Sequence, residues 1–438
     1  MITLYNIILT IGITVGIPLI IPIILLSEKR RKTFLQRLGV KRLPENILLN
    51  RDKPVWVHAL SVGEVLSSVP LVMKLKKRFK DKRIVFSAST KTGFEIANNL
   101  FKKNVDSIFF FPFDLLFSVK HIIGKIDPAI VIIVESDIWP NFLFEMKKRH
   151  IPVVLINARL SNRSFKGFKR FPFISNKLFL SFAKICTQSI EDANRFMLLG
   201  IPSNMISTTG NIKFDQPYDP VSEKEIELLK KSMNIQPVKK ILMAGSTHKG
   251  EESILIDAFS RIRKDFADTV LVVVPRNPER ARSVLKLCKS AGFFSILMKD
   301  FKNIDNDEKF DVIVVDVIGI LKRLYAIADV AFVGGSLVNL SGHNPLEPAA
   351  FSKPVIFGQY MSDFTHISQM LVDSGGAVQV ENTNSLYESI AGILSDSGKA
   401  RNMGEKAFKV FNANKGAIEK TLKVIESQLN VRTFGANI

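Results

Sequence analysis

Short apolar runs recur along this chain, separated by longer amphipathic or basic stretches, and the runs scarcely alternate with polar residues. A strand that is apolar on both faces must be covered on both, which means a parallel sheet flanked by crossover helices. The expected strands of a first sheet are Val55–Leu60, Arg83–Ala88, Ser107–Phe111, Ala129–Glu135, Pro152–Asn157, Lys184–Gln188 and Met205–Thr209. Glu64–Phe79, Thr92–Lys102, Trp139–Lys148 and Glu191–Leu199 are expected helices between them. Phe214–Glu223 carries two prolines and no apolar period, so it reads as a linker. The pattern restarts with Lys240–Ala244, Thr269–Val274, Phe293–Leu297, Asp311–Asp316, Val330–Val333 and Pro354–Phe357, with helices at Glu251–Phe266 and Arg280–Ala291. The expectation is an α/β chain of two doubly wound, Rossmann-like domains, 31–213 and 224–438, joined by 214–223 and preceded by residues 1–30. The last helix is free to pack back on the first domain. Ligands of such sheets bind beyond the carboxyl ends of the strands, and two facing sheets leave a cleft between them.

Charge narrows the partners. Lys and Arg number 61 against 41 Asp and Glu, a formal charge of +20, which attracts either nucleic acid or an anionic membrane. The phenylalanines sit mostly in apolar runs rather than between cations, so no nucleic-acid partner is expected. From Leu4 to Leu26 there is no charged residue, and Lys29, Arg30, Arg31, Lys32 and Arg37 follow. A helix of that length reaches ~34 Å, enough for a ~30 Å hydrocarbon layer. A cleaved signal would carry its cations before the apolar run, so this segment reads as an uncleaved anchor with the rest of the chain on the cytoplasmic side. Gly12, Gly16, Pro18 and Pro22 also allow a kinked segment lying in the interface. Two cysteines, Cys186 and Cys288, and six histidines without HExxH spacing exclude a disulfide scaffold and argue against a metal centre.

Chemistry should sit where strands end. After the first strand, Ser61-Val62-Gly63-Glu64 opens a helix; Glu64 is either the second half of a capping box with Ser61 or an available base, and both roles are compatible. Glu135 and Asp137 end another strand; Asp137 fits a helix cap, whereas Glu135 needs a partner, for which Arg159 is the natural counter-ion. Lys213, in Gly210-Asn211-Ile212-Lys213, could meet a leaving phosphate or be an ordinary solvated lysine. In the second half, Ala244–His248 ends a strand in small hydrogen-bonding residues, and Arg276 ends another, placed for a phosphate or carboxylate. Gly334 and Gly335 precede Asn344-Pro345-Leu346-Glu347, where Asn344 caps a helix and Glu347 lies in its first turn. No GxGxxG or Walker A pattern occurs. Asp305-Asn306-Asp307 has the form of a metal-binding DxD but reads as a solvated turn.

Eight blocks in order, HALSVGE, ESDIWPN, NARLSNRS, GNIKFD, AGSTHKGEE, VPRNPER, FVGGSLVN and SGHNPLEP, together resemble the bacterial 3-deoxy-D-manno-octulosonic acid (Kdo) transferases of lipopolysaccharide assembly. The resemblance covers nearly the whole chain. It implies a GT-B fold and an inverting transfer, without a metal or other cofactor, from CMP-Kdo to a lipid A precursor (lipid IVA) at the bacterial inner membrane. It implies that Glu64 is the base on the acceptor hydroxyl and that Glu135 and Lys213 stabilise the transition state. The CMP contacts it implies are Pro275 and Arg276, then Ile318, Gly319 and Ile320, then Asn344, Pro345, Leu346 and Glu347. Ile318-Gly319-Ile320 stands where many members read Met-Gly-Glu, which leaves backbone contacts there. Competing readings are another GT-B-like membrane glycosyltransferase, a sugar-nucleotide epimerase, and a non-catalytic basic protein binding membrane or nucleic acid.

Overall fold

The computed structural model describes residues 2–25, 28–40, 43–44, 52–135, 137–218, 220–303 and 308–435, with backbone alone at 17–25, 28–32, 302–303 and 431–435. The chain divides into two compact units, Met1–Gln216 with Lys415–Ile438, and Pro217–Asn414.

The first unit holds seven strands: β1 Val55–Ala59, β2 Ile84–Ala88, β3 Ser107–Phe110, β4 Ile130–Val134, β5 Val153–Ala158, β6 Lys184–Thr187 and β7 Ile206–Thr208. Their order is β3-β2-β1-β4-β5-β6-β7, and the paired strands are parallel. The continuous apolar runs have the reason expected of them. Val55, Val57 and Ala59 enter one core with Val65, Leu71 and Leu75, from the helix Val62–Arg78. Trp56 points the other way, against Phe142 and Met146 from the helix Pro140–Lys148. The closing helix of the chain, Ala417–Gly435, belongs to this unit: Ile418, Leu422, Ile425 and Leu429 join the first core. Its start is fastened by Asp215, which accepts the N–H groups of Gly416 and Ile418 at 2.6 Å each.

The second unit repeats the plan with β8 Lys240–Thr247, β9 Thr269–Pro275, β10 Ser295–Leu297, β11 Val312–Val314, β12 Val330–Val333, β13 Val355–Gly358 and β14 Ala377–Val380, ordered β10-β11-β9-β8-β12-β13-β14. Strand β14 goes beyond the sequence expectation. It is an edge strand with a polar residue, Gln379, and two glycines before it, so it lacks the apolar run that marks the others. In each sheet the strand order reverses beside the first strand, between β1 and β4 and between β8 and β12. Loops on either side of such a reversal diverge and leave a crevice at the carboxyl edge. That topology selects the loops after β1, β4, β8 and β12.

Among the described residues no helix is long and apolar enough to cross a membrane. The helix Ile2–Leu25 starts on the folded unit. The Tyr5 hydroxyl donates to Asp114 Oδ2 at 2.9 Å, and the Asn6 and Asn141 side-chain amides exchange hydrogen bonds of 2.8 and 2.7 Å.

Candidate active site

In the first unit, the turn out of β1 places Ser61 at the cap of the helix Val62–Arg78, with its hydroxyl facing the Glu64 N–H at 3.5 Å. The Glu64 carboxylate turns back and accepts the Leu60 N–H at 2.5 Å. It is only 8% exposed. Burial, then the negative charges of Glu135 and Asp137, push its pKa up to about 8, against the lowering effect of the Leu60 and Ser61 N–H groups. Ser61 is the cap of this helix, and the Glu64 carboxyl beside it is held with its proton affinity near neutrality.

Glu135, the first residue past β4, has φ 66, a left-handed conformation costly for a side chain of this kind. Asn157 in β5 shares it, with φ 53. The two side chains meet: Asn157 Nδ2 donates to Glu135 Oε1 at 3.4 Å, while Asn157 Oδ1 accepts the Ile212 N–H at 3.1 Å. Asn157 thus joins the β4 loop to the segment carrying Lys213, whose Nζ stands 3.6 Å from Glu135 Oε1. The cation beside Glu135 is Lys213, not the expected Arg159. Asp137 is not a helix cap either; Trp139 holds that position. Asp137, 7% exposed, lies 2.6 Å from His58 Nε2, and His58 Nδ1 is 2.9 Å from Ser87 Oγ, with its ring stacked 3.9 Å from that of Phe111. His58 and Asn157 stood inside recognised blocks without a role. The available signal was a fully apolar strand interrupted by an imidazole, which must find a buried partner.

In the second unit the loops after β8 and β12 lie close together. A Cβ on Gly334 would come within 2.4 Å of the Ser246 carbonyl oxygen, so only glycine fits. Glu251, wholly buried, holds both loops by accepting N–H groups from His248 (3.0 Å), Gly335 (2.7 Å), Ser336 (2.9 Å) and Leu337 (2.9 Å). On this base His248 and His343 stack with their Nε2 atoms 2.8 Å apart. Burial, the charge of Arg276 and His248 lower the His343 pKa to about 4. Arg276 is exposed, and among the described residues its guanidinium makes no hydrogen bond or ion pair, while its charge reaches both histidines and Glu347. Asn344 accepts the Leu346 N–H at 3.1 Å, but the cap position of the short helix Leu346–Ala349 falls to Pro345 rather than to Asn344 as expected. Pro275, Pro345 and Leu346 are buried, leaving them little but backbone to present. Ile318 is 82% exposed, Gly319 has φ +88, and Ile320 packs against a core.

Burial raises the Glu347 carboxyl, opposed by Lys322 and Arg276. Among the described residues no group of three His, Cys, Asp or Glu is placed to hold a metal ion; the Asp305–Asp307 segment lies outside them. A cavity of about 210 Å³ lined by Lys240, Asp329, Lys353 and Pro354 lies at the amino-terminal edge of the second sheet, away from these loops.

Residues 32–216 match the family described as 3-deoxy-D-manno-octulosonic-acid transferase (kdotransferase). Over 382 residues the chain is 34% identical to the 3-deoxy-D-manno-octulosonic acid transferase of Haemophilus influenzae, covering 86% of this chain and 87% of the relative. The Chlamydia muridarum enzyme of that name is 31% identical, with 86% of each chain covered. In fold the chain is similar to UDP-GlcNAc 2-epimerase from Neisseria meningitidis, with a TM-score of 0.57 at 15% identity over 85% of this chain and 100% of that one. It is also similar to a glycosyltransferase from Rickettsia africae, with a TM-score of 0.55 at 16% identity over 87% and 99%. Both likenesses concern two parallel-sheet α/β domains of GT-B-like kind. By sequence, this chain belongs to the 3-deoxy-D-manno-octulosonic acid transferase family.

Proposed function

We propose that the chain moves Kdo from CMP-Kdo to a lipid A precursor, lipid IVA, at the cytoplasmic face of a bacterial inner membrane, with Glu64 as the base. The observation that supports this most is the state of Glu64: at the carboxyl edge of its sheet, nearly buried, and with a pKa pushed up to about 8. In the transfer, an acceptor hydroxyl oxygen bonds to the anomeric carbon while the bond from that carbon to the CMP phosphate oxygen breaks. The hydroxyl proton passes to Glu64, and the bonding pair leaves with the cytidylate. A positioned carboxylate in this role typically contributes ~10²–10⁴-fold.

Cytidylate leaves as an anion and needs cations more than an acid. Arg276 in the second unit has an exposed guanidinium for it, without a hydrogen bond or ion pair among the described residues. Lys213 is held by Glu135, which fixes the position of its ammonium and limits its net charge. Pro275, the Ile318–Ile320 turn and Asn344–Glu347 complete the donor contacts in this reading.

A lipid acceptor stays in its bilayer, so the enzyme must go to it. We assign the N-terminal helix to that task as an anchor lying in the interface. Support comes from the contacts of Tyr5 and Asn6 with Asp114 and Asn141, which keep the first turn at the folded unit. Leu4, Ile7, Ile8, Ile11 and Val15 along that helix are exposed. The Lys29–Lys32 cluster suits an anionic cytoplasmic leaflet.

Mass spectrometry of lipid products from the purified chain, CMP-Kdo and lipid IVA tests the assignment. Addition of Kdo that Glu64→Gln reduces to about a hundredth or less is expected. Transfer from a UDP-sugar instead, or full turnover by the variant, would overturn it.

A further inference from the structure

The segment Ser161–Ala183 departs from the rest of the chain: phenylalanines alternate there with five cations, Arg163, Lys166, Lys169, Arg170 and Lys177, and no Asp or Glu occurs. It folds as two short helices, Asn162–Arg170 and Pro172–Phe179, meeting at Phe171. Phe165, Phe168, Leu178 and Phe179 turn inwards and account for the hairpin's place on the first unit. The residues at its tip do the opposite. Phe171, Phe173 and Ile174 are 59%, 67% and 48% exposed, and no core cluster takes them in. Lys177 Nζ lies 4.6 Å from the centre of the Phe173 ring and the Arg170 guanidinium 5.9 Å from that of Phe171.

Large apolar side chains set in water among cations that have no acidic partner among the described residues fit one kind of surface, an anionic lipid bilayer: its acyl boundary takes the rings and its headgroups take the charges. Two further observations favour lipid over nucleic acid. Ile174 has no ring to stack on a base. The neighbouring apolar exposure is aliphatic as well, because the helix Pro140–Lys148, on which the second hairpin helix packs, also receives the N-terminal helix with its exposed Leu4, Ile7, Ile8, Ile11 and Val15.

We propose that the Phe171–Ile174 tip is a second membrane-insertion point, entering an anionic phospholipid surface beside the N-terminal helix. It rests on the reading above that the chain works at a membrane. One anchor of modest size binds reversibly, whereas two signals together hold a protein in place. With the hairpin following the Asn157 strand end, the second contact also fixes the tilt of the first unit against the bilayer.

The test uses the full chain carrying Phe173→Cys labelled with a polarity-sensitive thiol dye; Cys186 and Cys288 are buried and leave position 173 as the reactive site. Mixed phosphatidylglycerol–phosphatidylcholine vesicles should shift the dye emission to the blue, and phosphatidylcholine alone should shift it little. In the unlabelled chain, Phe171→Ser with Phe173→Ser should weaken co-sedimentation with the mixed vesicles by about tenfold. Its transfer to detergent-dispersed acceptor and its melting temperature should be unchanged. Sedimentation with vesicles while the dye stays in water overturns the tip and leaves the membrane reading standing. Failure of the whole chain to sediment removes both. A blue shift produced by single-stranded RNA, or by raising the protein concentration without lipid, assigns the tip to another partner and overturns the proposal.

Discussion

Glu64 and Glu251 hold matching places in the two units. Each lies in the first turn of the helix that follows the first strand of its sheet, β1 or β8, beside the point where strand order reverses. Each folds back to accept backbone N–H groups of its own loop. They differ in how fully they are engaged. Glu251 is wholly buried and receives four N–H groups from two loops, which uses up its oxygens on structure. Glu64 has the Leu60 N–H at short range, the negative neighbours Glu135 and Asp137, and a remnant of exposure. One fold position thus carries a carboxylate saturated by hydrogen bonds in one unit and a carboxyl with a raised pKa in the other, the one we propose as the base. What separates the two is the number of hydrogen bonds each receives, not residue type or position.

The strongest blow to this contrast would come from Glu64→Gln. It should cut transfer by ~10²–10⁴-fold with the circular dichroism spectrum unchanged; a Glu251→Gln variant that lost activity without losing stability would erase the distinction. Next, Lys213→Met should lower kcat by about 10²-fold with a smaller change in KM, read by steady-state kinetics. Glu251→Gln should destabilise the second unit by about 2–4 kcal/mol in urea unfolding, since the amide N–H₂ must face backbone donors. The smallest effect concerns pH. A base must be deprotonated, so the rate should rise with pH and level off above about 8. Glu135→Gln removes a negative neighbour and should move that limb down by about half a unit.

Stability should run the opposite way. The Glu64 pKa is raised in the fold, so its contribution is full below about 4.5 and lost as pH climbs through about 8. Glu64→Gln should therefore melt higher than the parent at pH 9 and show no such gain at pH 4.

Most strands were legible because a both-faces-buried strand leaves a continuous apolar run, as in Ile130–Val134. Strand β14 was not, since an edge strand tolerates Gln379. The residues of the candidate site stood out as a set of motifs, but their pairing did not. Arg159 and Lys213 are equally plausible partners for Glu135 on charge; it is the folded backbone, with the hydrogen bond from Ile212 to Asn157, that sets Lys213 beside it. The left-handed backbone at Glu135, Asn157 and Ser246 was hidden as well. Glycine advertises such a conformation in a sequence, whereas a glutamate, asparagine or serine held there by its surroundings does not.

The return of Ala417–Gly435 to the first unit has a consequence for biosynthesis. Residues 217–414 form an insertion within a unit whose two pieces lie far apart in the chain. On the ribosome, the inserted unit can finish folding while its host still lacks Ile418, Leu422, Ile425 and Leu429. Until those residues are translated, the apolar face awaiting them stays uncovered, so a nascent chain that stalls before them leaves the first unit, not the inserted one, vulnerable to proteases.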